Sequence, residues 1–277
     1  MSFRDRIKLS ERLMNSCEMV TPGLRIADIG CDHAHTSIWL IKNGVAPSAL
    51  AMDVRTGPLE KARENIRMYG LEDRIELRLS NGLQELHENE AESIIIAGMG
   101  GMLTVQILTE GLSKAVAAKE LILQPQSDIG LVRSFLRKNG FCIVCEKMCR
   151  EYGKFYNSMK AVPATSGDIP ENNNDRLEVK IGSCDNCVGN RDAGVLGIRN
   201  IDRDLLTEVY DEFGEILLRS KDRVLKDLLG ELARKNERNL LGIQNSLSDE
   251  AREKMQVLLH EKEIIEIAIS FYDKINV

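Results

Sequence analysis

No apolar run in this sequence approaches the roughly 18 residues needed to cross a bilayer. Its first residues, Met1-Ser2-Phe3-Arg4-Asp5-Arg6, lack the apolar centre of a secretory signal. Both absences point to a cytoplasmic protein with no membrane partner. Positive charge is not in excess either. The chain has 37 Lys and Arg against 43 Asp and Glu, a net charge of −6, which excludes a coat of nucleic acid over the whole surface. Aromatic residues are few, at 4%. Seven cysteines are an odd number in a long chain, which argues against a disulfide framework. Cys184-x-x-Cys187 and Cys142-x-x-Cys145-x-x-x-Cys149 could be read as zinc ligands. No second well-spaced set accompanies them, and Cys142 and Cys145 lie in the apolar run Phe141–Cys145. Thiols and no metal site are expected.

What is present is length and pattern. With 43% apolar and 29% charged residues, 277 residues suffice for one large domain or two modest ones. From Leu24 to about Val162, short apolar runs alternate with amphipathic segments. Strands are predicted at Arg25–Ile29, Ala49–Val54, Ile75–Leu79, Ser93–Ala97, Glu120–Gln124, Phe141–Lys147 and Phe155–Val162. Helices fit between most of them. Pro58–Tyr69 carries Leu59, Ala62, Ile66 and Tyr69 on one stripe and stops at Gly70. Ile129–Lys138 follows the cap candidates Ser127 and Asp128 and stops at Asn139-Gly140. This alternation predicts an α/β fold with a doubly wound, mostly parallel sheet. The short connection Met148–Lys154 predicts an antiparallel pair at its edge.

Composition shifts after Val162. Residues 163–200 open with a stretch rich in Pro, Gly, Ser, Thr and Asn, and hold one possible short strand, Leu177–Ile181. They read as a linker or insert. Beyond Asp202, Leu206, Val209, Phe213, Leu217, Val224 and Leu228 follow helical spacing. Ala251, Met255, Leu258, Ile265 and Ala268 repeat it past a turn at Gly242–Asp249. Three parts are expected: a sheet domain over 1–162, the insert over 163–200, and over 201–277 a helical hairpin resembling a coiled coil.

The stretch Ala27-Asp28-Ile29-Gly30-Cys31-Asp32-His33-Ala34-His35 carries the strongest functional signal. An apolar strand stops at a glycine, a helix starts near Thr36, and the next strand closes on an acid, Asp53. A Rossmann-type site for a nucleotide-like ligand needs this layout: close backbone approach, free N–H groups at a helix start, and an acceptor for ribose hydroxyls. The loop is not Gly-x-Gly-x-x-Gly, because Asp32 and Ala34 stand where further glycines belong. With no pyrophosphate to seat, fewer glycines are required, which favours S-adenosylmethionine over a dinucleotide. Cofactor-binding candidates are Asp28, Gly30, Asp32, His33, Asp53, Val54, Asn81, Gly82, Gly98, Met99 and Gly100. Asp32 either faces the cofactor's ammonium group or caps the following helix, or does both. Asn81 stands where an Asp commonly holds the adenine amino group. Three glycines within Gly98–Gly101 end the fourth strand, and they are read as letting backbone approach cofactor and substrate. Gln124 and Gln126 place amides at the end of the fifth.

Asp28–Ala34, Ile96–Gly101 and Leu121–Pro125 resemble, in order and spacing, the TrmK family of bacterial S-adenosylmethionine-dependent tRNA (adenine(22)-N(1))-methyltransferases. The resemblance extends to Lys8–Leu13, Gly153–Tyr156 and Phe213–Leu218, and so spans nearly the whole chain. It implies a class I methyltransferase domain, methyl transfer to adenine N1 in tRNA, and a base presented unpaired or flipped out. Asp32 and Gln124 are the catalytic candidates. Residues 131–160 hold seven Lys or Arg against two acids, so local basic faces are available on an acidic protein. Lys8, Arg12, Arg133, Arg137 and Lys154 are the RNA-contact candidates. The rival readings are a methyltransferase acting on a protein or small molecule, and a non-catalytic RNA-binding protein. A monomer and a dimer are both compatible with the composition.

Overall fold

In the computed structural model, residues 7–164, 201–243 and 248–273 are described. The possible strand Leu177–Ile181, the Cys184/Cys187 pair and the centre of the Gly242–Asp249 turn lie outside them. The chain divides into two compact units, Met1–Asp185 and Asn186–Val277.

The first unit opens with helix α1 (Glu11–Met19) and then alternates β1 (Ile26–Ile29), α2 (His35–Lys42), β2 (Ala49–Asp53), α3 (Thr56–Met68) and β3 (Ile75–Leu79). It continues with β4 (Ser93–Met99), α4 (Gly101–Glu110), α5 (Leu112–Ala117), β5 (Glu120–Pro125), α6 (Ile129–Lys138), β6 (Phe141–Glu151) and β7 (Lys154–Pro163). Among the described residues these strands form a seven-stranded sheet in the order β3-β2-β1-β4-β5-β7-β6. β1 to β5 pair in parallel, and β7 runs antiparallel to both β5 and β6. Every residue of β1, β2 and β5 is buried, which is why these strands read as continuous apolar runs. An apolar cluster covers one face of β4 and β5, where Ile94, Ile96, Leu121 and Leu123 meet Leu108, Val132 and Leu136. The strand order reverses between β1 and β4, and such a switch point opens a crevice at the carboxyl ends of the strands.

The expected edge pair is present, but longer. β6 and β7 are zipped from Phe141↔Pro163 to Glu151↔Lys154, so the connection shrinks to Tyr152-Gly153. Both turn residues have positive φ, +48° and +79°, the conformation a two-residue hairpin demands. Cys17, Cys31 and Cys149 are thiols, whereas Cys145 is disulfide-bonded and departs from the thiol expectation.

In the second unit the first long helix is broken. α7 (Arg203–Phe213), α8 (Glu215–Arg219) and α9 (Arg223–Ile243) replace it, and α10 (Asp249–Ser270) follows. Gly214 at φ +86° and Lys221 at +54° make the breaks. They shift the helical phase, so Leu225 and Leu229 are buried in place of Val224 and Leu228. Asp202 caps α7, its Oδ1 accepting the Asp204 and Leu205 N–H groups at 2.9 and 3.3 Å. α9 and α10 pair antiparallel, joined by Asn236, which donates to the Leu258 carbonyl at 3.0 Å. Among the described residues, no helix is long and apolar enough to cross a membrane.

Candidate active site

The carboxyl ends of β1, β2, β4 and β5 carry most of the polar candidates. After β1 the chain turns through Gly30, Asp32 and Ala34, all left-handed, at φ +72°, +47° and +58°. Two non-glycine residues in that region within three positions cost of order 1–3 kcal/mol each, strain that persists only where the surroundings over-determine it. The turn is pinned from both sides. Gly30 and Cys31 donate their N–H groups to the Met52 carbonyl at 2.8 and 2.9 Å, and Asn65 of α3 donates to the His33 carbonyl at 2.9 Å. Gly30 is required by its φ of +72°, a conformation L side chains rarely adopt; the Met99 Cε, 2.1 Å from where a Cβ would lie, is the movable end of a flexible side chain.

Asp28 is buried and holds the start of α2. Its Oδ2 accepts the Ser37 hydroxyl at 2.7 Å, and burial pushes its pKa up to about 6, with the Ser37 bonds opposing. Its carboxylate thus holds the start of the helix. Asp32 is free of that duty. Its side chain is 67% exposed, α2 is capped by Ala34 without a side-chain bond, and the helix-cap alternative for Asp32 falls. His33 lies 3.5 Å from the Asp32 carboxylate and stacks on His35 at 5.6 Å. Burial, and then the charge of His33, lower the His35 pKa. Asp32 and His33 border an open cleft of about 450 Å³ shared with Gly57, Pro58, Lys61 and Glu64 of α3.

Asp53 ends β2 with its carboxylate buried. Oδ1 accepts the Arg55 N–H at 2.9 Å, and Oδ2 has no partner among the described residues. Val54, beside it, is 59% exposed. Ser80 donates its N–H to the Asp53 carbonyl and its hydroxyl to the Gly82 carbonyl, which sets the turn and leaves Asn81 exposed.

Gly98, next to the last residue of β4, lies in the left-handed region, φ +80°. Gly98 donates its N–H to Oε1 of buried Gln124 at 3.1 Å, and Arg12 of α1 donates to the same oxygen at 3.0 Å. The glycine run is not all ligand-facing. A Cβ on Gly101 would lie 2.4 and 2.5 Å from the carbonyls of Ser127 and Asp128, so this glycine packs α4 against the loop before α6. Gly100 is less confined, meeting only the Ser127 hydroxyl at 3.2 Å.

The basic candidates separate by burial. Arg133 is 4% exposed and donates to Glu146 at 2.8 Å, so it is a structural ion pair and not an RNA contact. Arg12 is held by Gln124, by Glu151 at 3.8 Å and over the Tyr156 ring at 5.5 Å, which ties it to the end of β5. Lys8, Arg137 and Lys154 are exposed. Missed from sequence were α1 as a wall of the site and Asn157 of β7, a buried amide with neither polar atom partnered among the described residues. The spacing Leu9, Leu13, Cys17 was the available signal for α1. Asn157 offered none, because its burial depends on strand pairing.

A parallel sheet with this strand order, a glycine turn after β1 and an acid closing β2 define a nucleotide-site methyltransferase architecture. The chain belongs to the methyltransferase-domain family, whose profile matches residues 9–159. Within it, the chain is 35% identical over 157 residues to the tRNA (adenine(22)-N(1))-methyltransferase of Bacillus subtilis, covering 57% of this chain and 66% of that protein. The matched stretch is thus just under two thirds of that relative's length. The solved structure of the B. subtilis m1A22 tRNA methyltransferase TrmK superposes with a TM-score of 0.75 at 27% identity, over 95% of this chain and 100% of that one. A Streptococcus pneumoniae protein crystallised in complex with S-adenosyl-L-methionine gives 0.72 at 28% identity, over 94% and 99%. The expected resemblance to the TrmK family is borne out.

Proposed function

We propose that this protein transfers a methyl group from S-adenosylmethionine to N1 of adenine 22 in tRNA, in the cytoplasm. The observation that carries the reading is Asp53: a buried carboxylate at the end of β2 with one oxygen unpartnered, beside exposed Val54 and Asn81. Such a group fits two ribose hydroxyls. Full-length likeness to structures named as m1A22 methyltransferases supplies the substrate.

The residues divide the cofactor among them. Asp53 would accept from the ribose, Val54 would pack on the adenine ring, and Asn81 with Gly82 would meet its amino group. Gly30, Asp32 and His33 would line the amino-acid end, with the Asp32 carboxylate toward the ammonium. Gly98, Met99 and Gly100 would lie between cofactor and substrate. Bound S-adenosylmethionine supplies an electrophilic methyl on sulfonium. Adenine N1 attacks with its own lone pair, the C–S bond breaks and its electrons stay on sulfur, and the positive charge passes to the adenine. N1 carries no proton, so no general base is required. Catalysis rests on holding N1 and the methyl group in line in a dry crevice. Asp32 then acts through cofactor orientation, and Gln124 through the base. Exposed Lys8, Arg137 and Lys154, with the helical unit, would hold the RNA backbone.

Transfer of tritium from methyl-labelled S-adenosylmethionine tests the reading. Label is expected in bulk tRNA as 1-methyladenosine. Label in protein or small molecules alone, or none, would overturn it.

A further inference from the structure

Gln124 holds a buried donor without an acceptor. Its side chain is fully buried at the carboxyl end of β5. Oε1 already receives two N–H groups, from Gly98 at 3.1 Å and from Arg12 at 3.0 Å. Two donors on one oxygen settle which end of the amide is which, and so Nε2 is left over. It meets no partner among the described residues. Support of the Gly98 turn explains Oε1 and says nothing of Nε2. A buried N–H without a partner is costly, and its persistence beside a substrate crevice points to an acceptor that arrives with the ligand.

We infer that Nε2 of Gln124 reads the target base by donating to ring N7 of the adenine, and that Arg12 is the positioning residue that keeps the amide turned that way. The inference rests on the adenine-N1 reading above. Adenine offers three ring acceptors, N1, N3 and N7. N1 must keep its lone pair for the methyl group and cannot accept. With N1 directed at the cofactor, which the ends of β1, β2 and β4 would hold, the far edge of the base is its imidazole side. N7 is the acceptor on that edge, whereas N3 flanks N1. β5 lies one strand beyond β4, on the far side from β1, and so faces that edge. Arg12 reaches this place because α1 packs beside β5, and its guanidinium is clamped between Gln124 Oε1, Glu151 and the Tyr156 ring. Without it the amide keeps only the Gly98 N–H and is able to turn. A pyrimidine has no equivalent of N7, so the same donor contributes to choosing a purine.

The test uses the full chain and tRNA assembled from synthetic fragments with adenosine, 7-deazaadenosine or 3-deazaadenosine at position 22. Single-turnover methylation is read with wild type, Gln124→Met and Arg12→Ala. Wild type should slow about ten- to a hundredfold on the 7-deaza RNA, the worth of one hydrogen bond in a desolvated site, and should not slow on the 3-deaza RNA. Gln124→Met should slow by a similar factor on ordinary RNA and lose nothing further on the 7-deaza RNA. Arg12→Ala should lose most of the discrimination between those two RNAs, which a merely structural role would leave intact. Binding of S-adenosylhomocysteine checks that each variant is folded, and if one is not, the wild-type rates on the two analogues decide alone. Equal wild-type rates on ordinary and 7-deaza RNA, multiplying losses in Gln124→Met, or slowing on the 3-deaza RNA instead would overturn the inference. No methylation of ordinary RNA by wild type would refute the activity itself, and the base contact with it.

Discussion

Asp28 and Asp53 lie at the carboxyl ends of neighbouring strands and are both buried, yet their carboxylates face different tasks. Asp28 is spent on Ser37, whereas Asp53 keeps an oxygen free. Asp53→Ala should therefore weaken S-adenosylhomocysteine binding by one to two decades, about 1.5–3 kcal/mol, without unfolding the protein. Calorimetric titration reads this, and an unchanged dissociation constant would remove Asp53 from the site. Asp28 makes a different, pH-dependent prediction. Its folded pKa of about 6 lies above the ordinary 3.8, so the folded state binds the extra proton. The stability linked to that proton is present below about pH 4 and is lost as pH rises through 6, about 3 kcal/mol in full. Between pH 4 and pH 7, urea unfolding should show wild type losing stability relative to Asp28→Asn, and parallel curves would contradict the assignment. Asp53 was legible in the sequence because a strand end depends on no helix phase. The duty of Asp28 was not, because the sequence places Ser37 near it without showing which way either side chain turns. Gly101 was misread for a similar reason: the backbone it touches, at Ser127 and Asp128, comes from another element.

Elements of the first unit were legible nearly to the residue, since buried parallel strands announce themselves as short apolar runs between helices. β3 and α6 begin and end where the pattern places them, and β1, β2 and β5 differ by one residue. The β6–β7 hairpin was under-read at its tip because polar residues there, Arg150, Glu151 and Lys154, still pair across the strands. The broken first helix of the second unit was missed because Leu217, Val224 and Leu228 keep helical spacing across Gly214 and Lys221, and only the backbone shows the phase slip. Arg133 illustrates the limit at this scale. Seven basic residues in one segment suggest an RNA face, but the Arg133 guanidinium turns inward from α6 to Glu146 on β6. Arg133→Met alone should remove a buried partner of the Glu146 carboxylate and destabilise the protein, while Arg133→Met with Glu146→Leu should recover part of the loss. Thermal denaturation of both variants checks this. A single variant as stable as wild type would mean the pair is not what joins α6 to β6.

At the scale of the whole molecule, the proposed function assigns the cofactor to the first unit and a grip on RNA to the helical unit. Every candidate cofactor contact lies before residue 101, and Gln124 before the end of β5. A chain ending after Ala164, which keeps the Phe141↔Pro163 pair and the Ala164 N–H bond to Gly140, should fold and bind S-adenosylhomocysteine. It should methylate tRNA poorly if the helical unit holds the RNA as proposed, because the backbone contacts that unit supplies are then lost. Equal activity in the truncated and full chains would assign the helices another role. Residues 201–277 carry 12 Lys or Arg against 17 acids, so any grip on RNA must come from a local face such as exposed Arg234, Lys235 and Arg238. The claim on which all of this depends is methylation at one nitrogen of one base. It is tested most directly with two unmodified tRNA transcripts, identical except for A22 or G22, incubated with the full chain and S-adenosylmethionine. A methyl on adenine N1 blocks base pairing, so reverse transcription should stop at position 22 in the A22 transcript and read through in its twin. Read-through in both, or a stop elsewhere that survives the change to G22, would contradict the account.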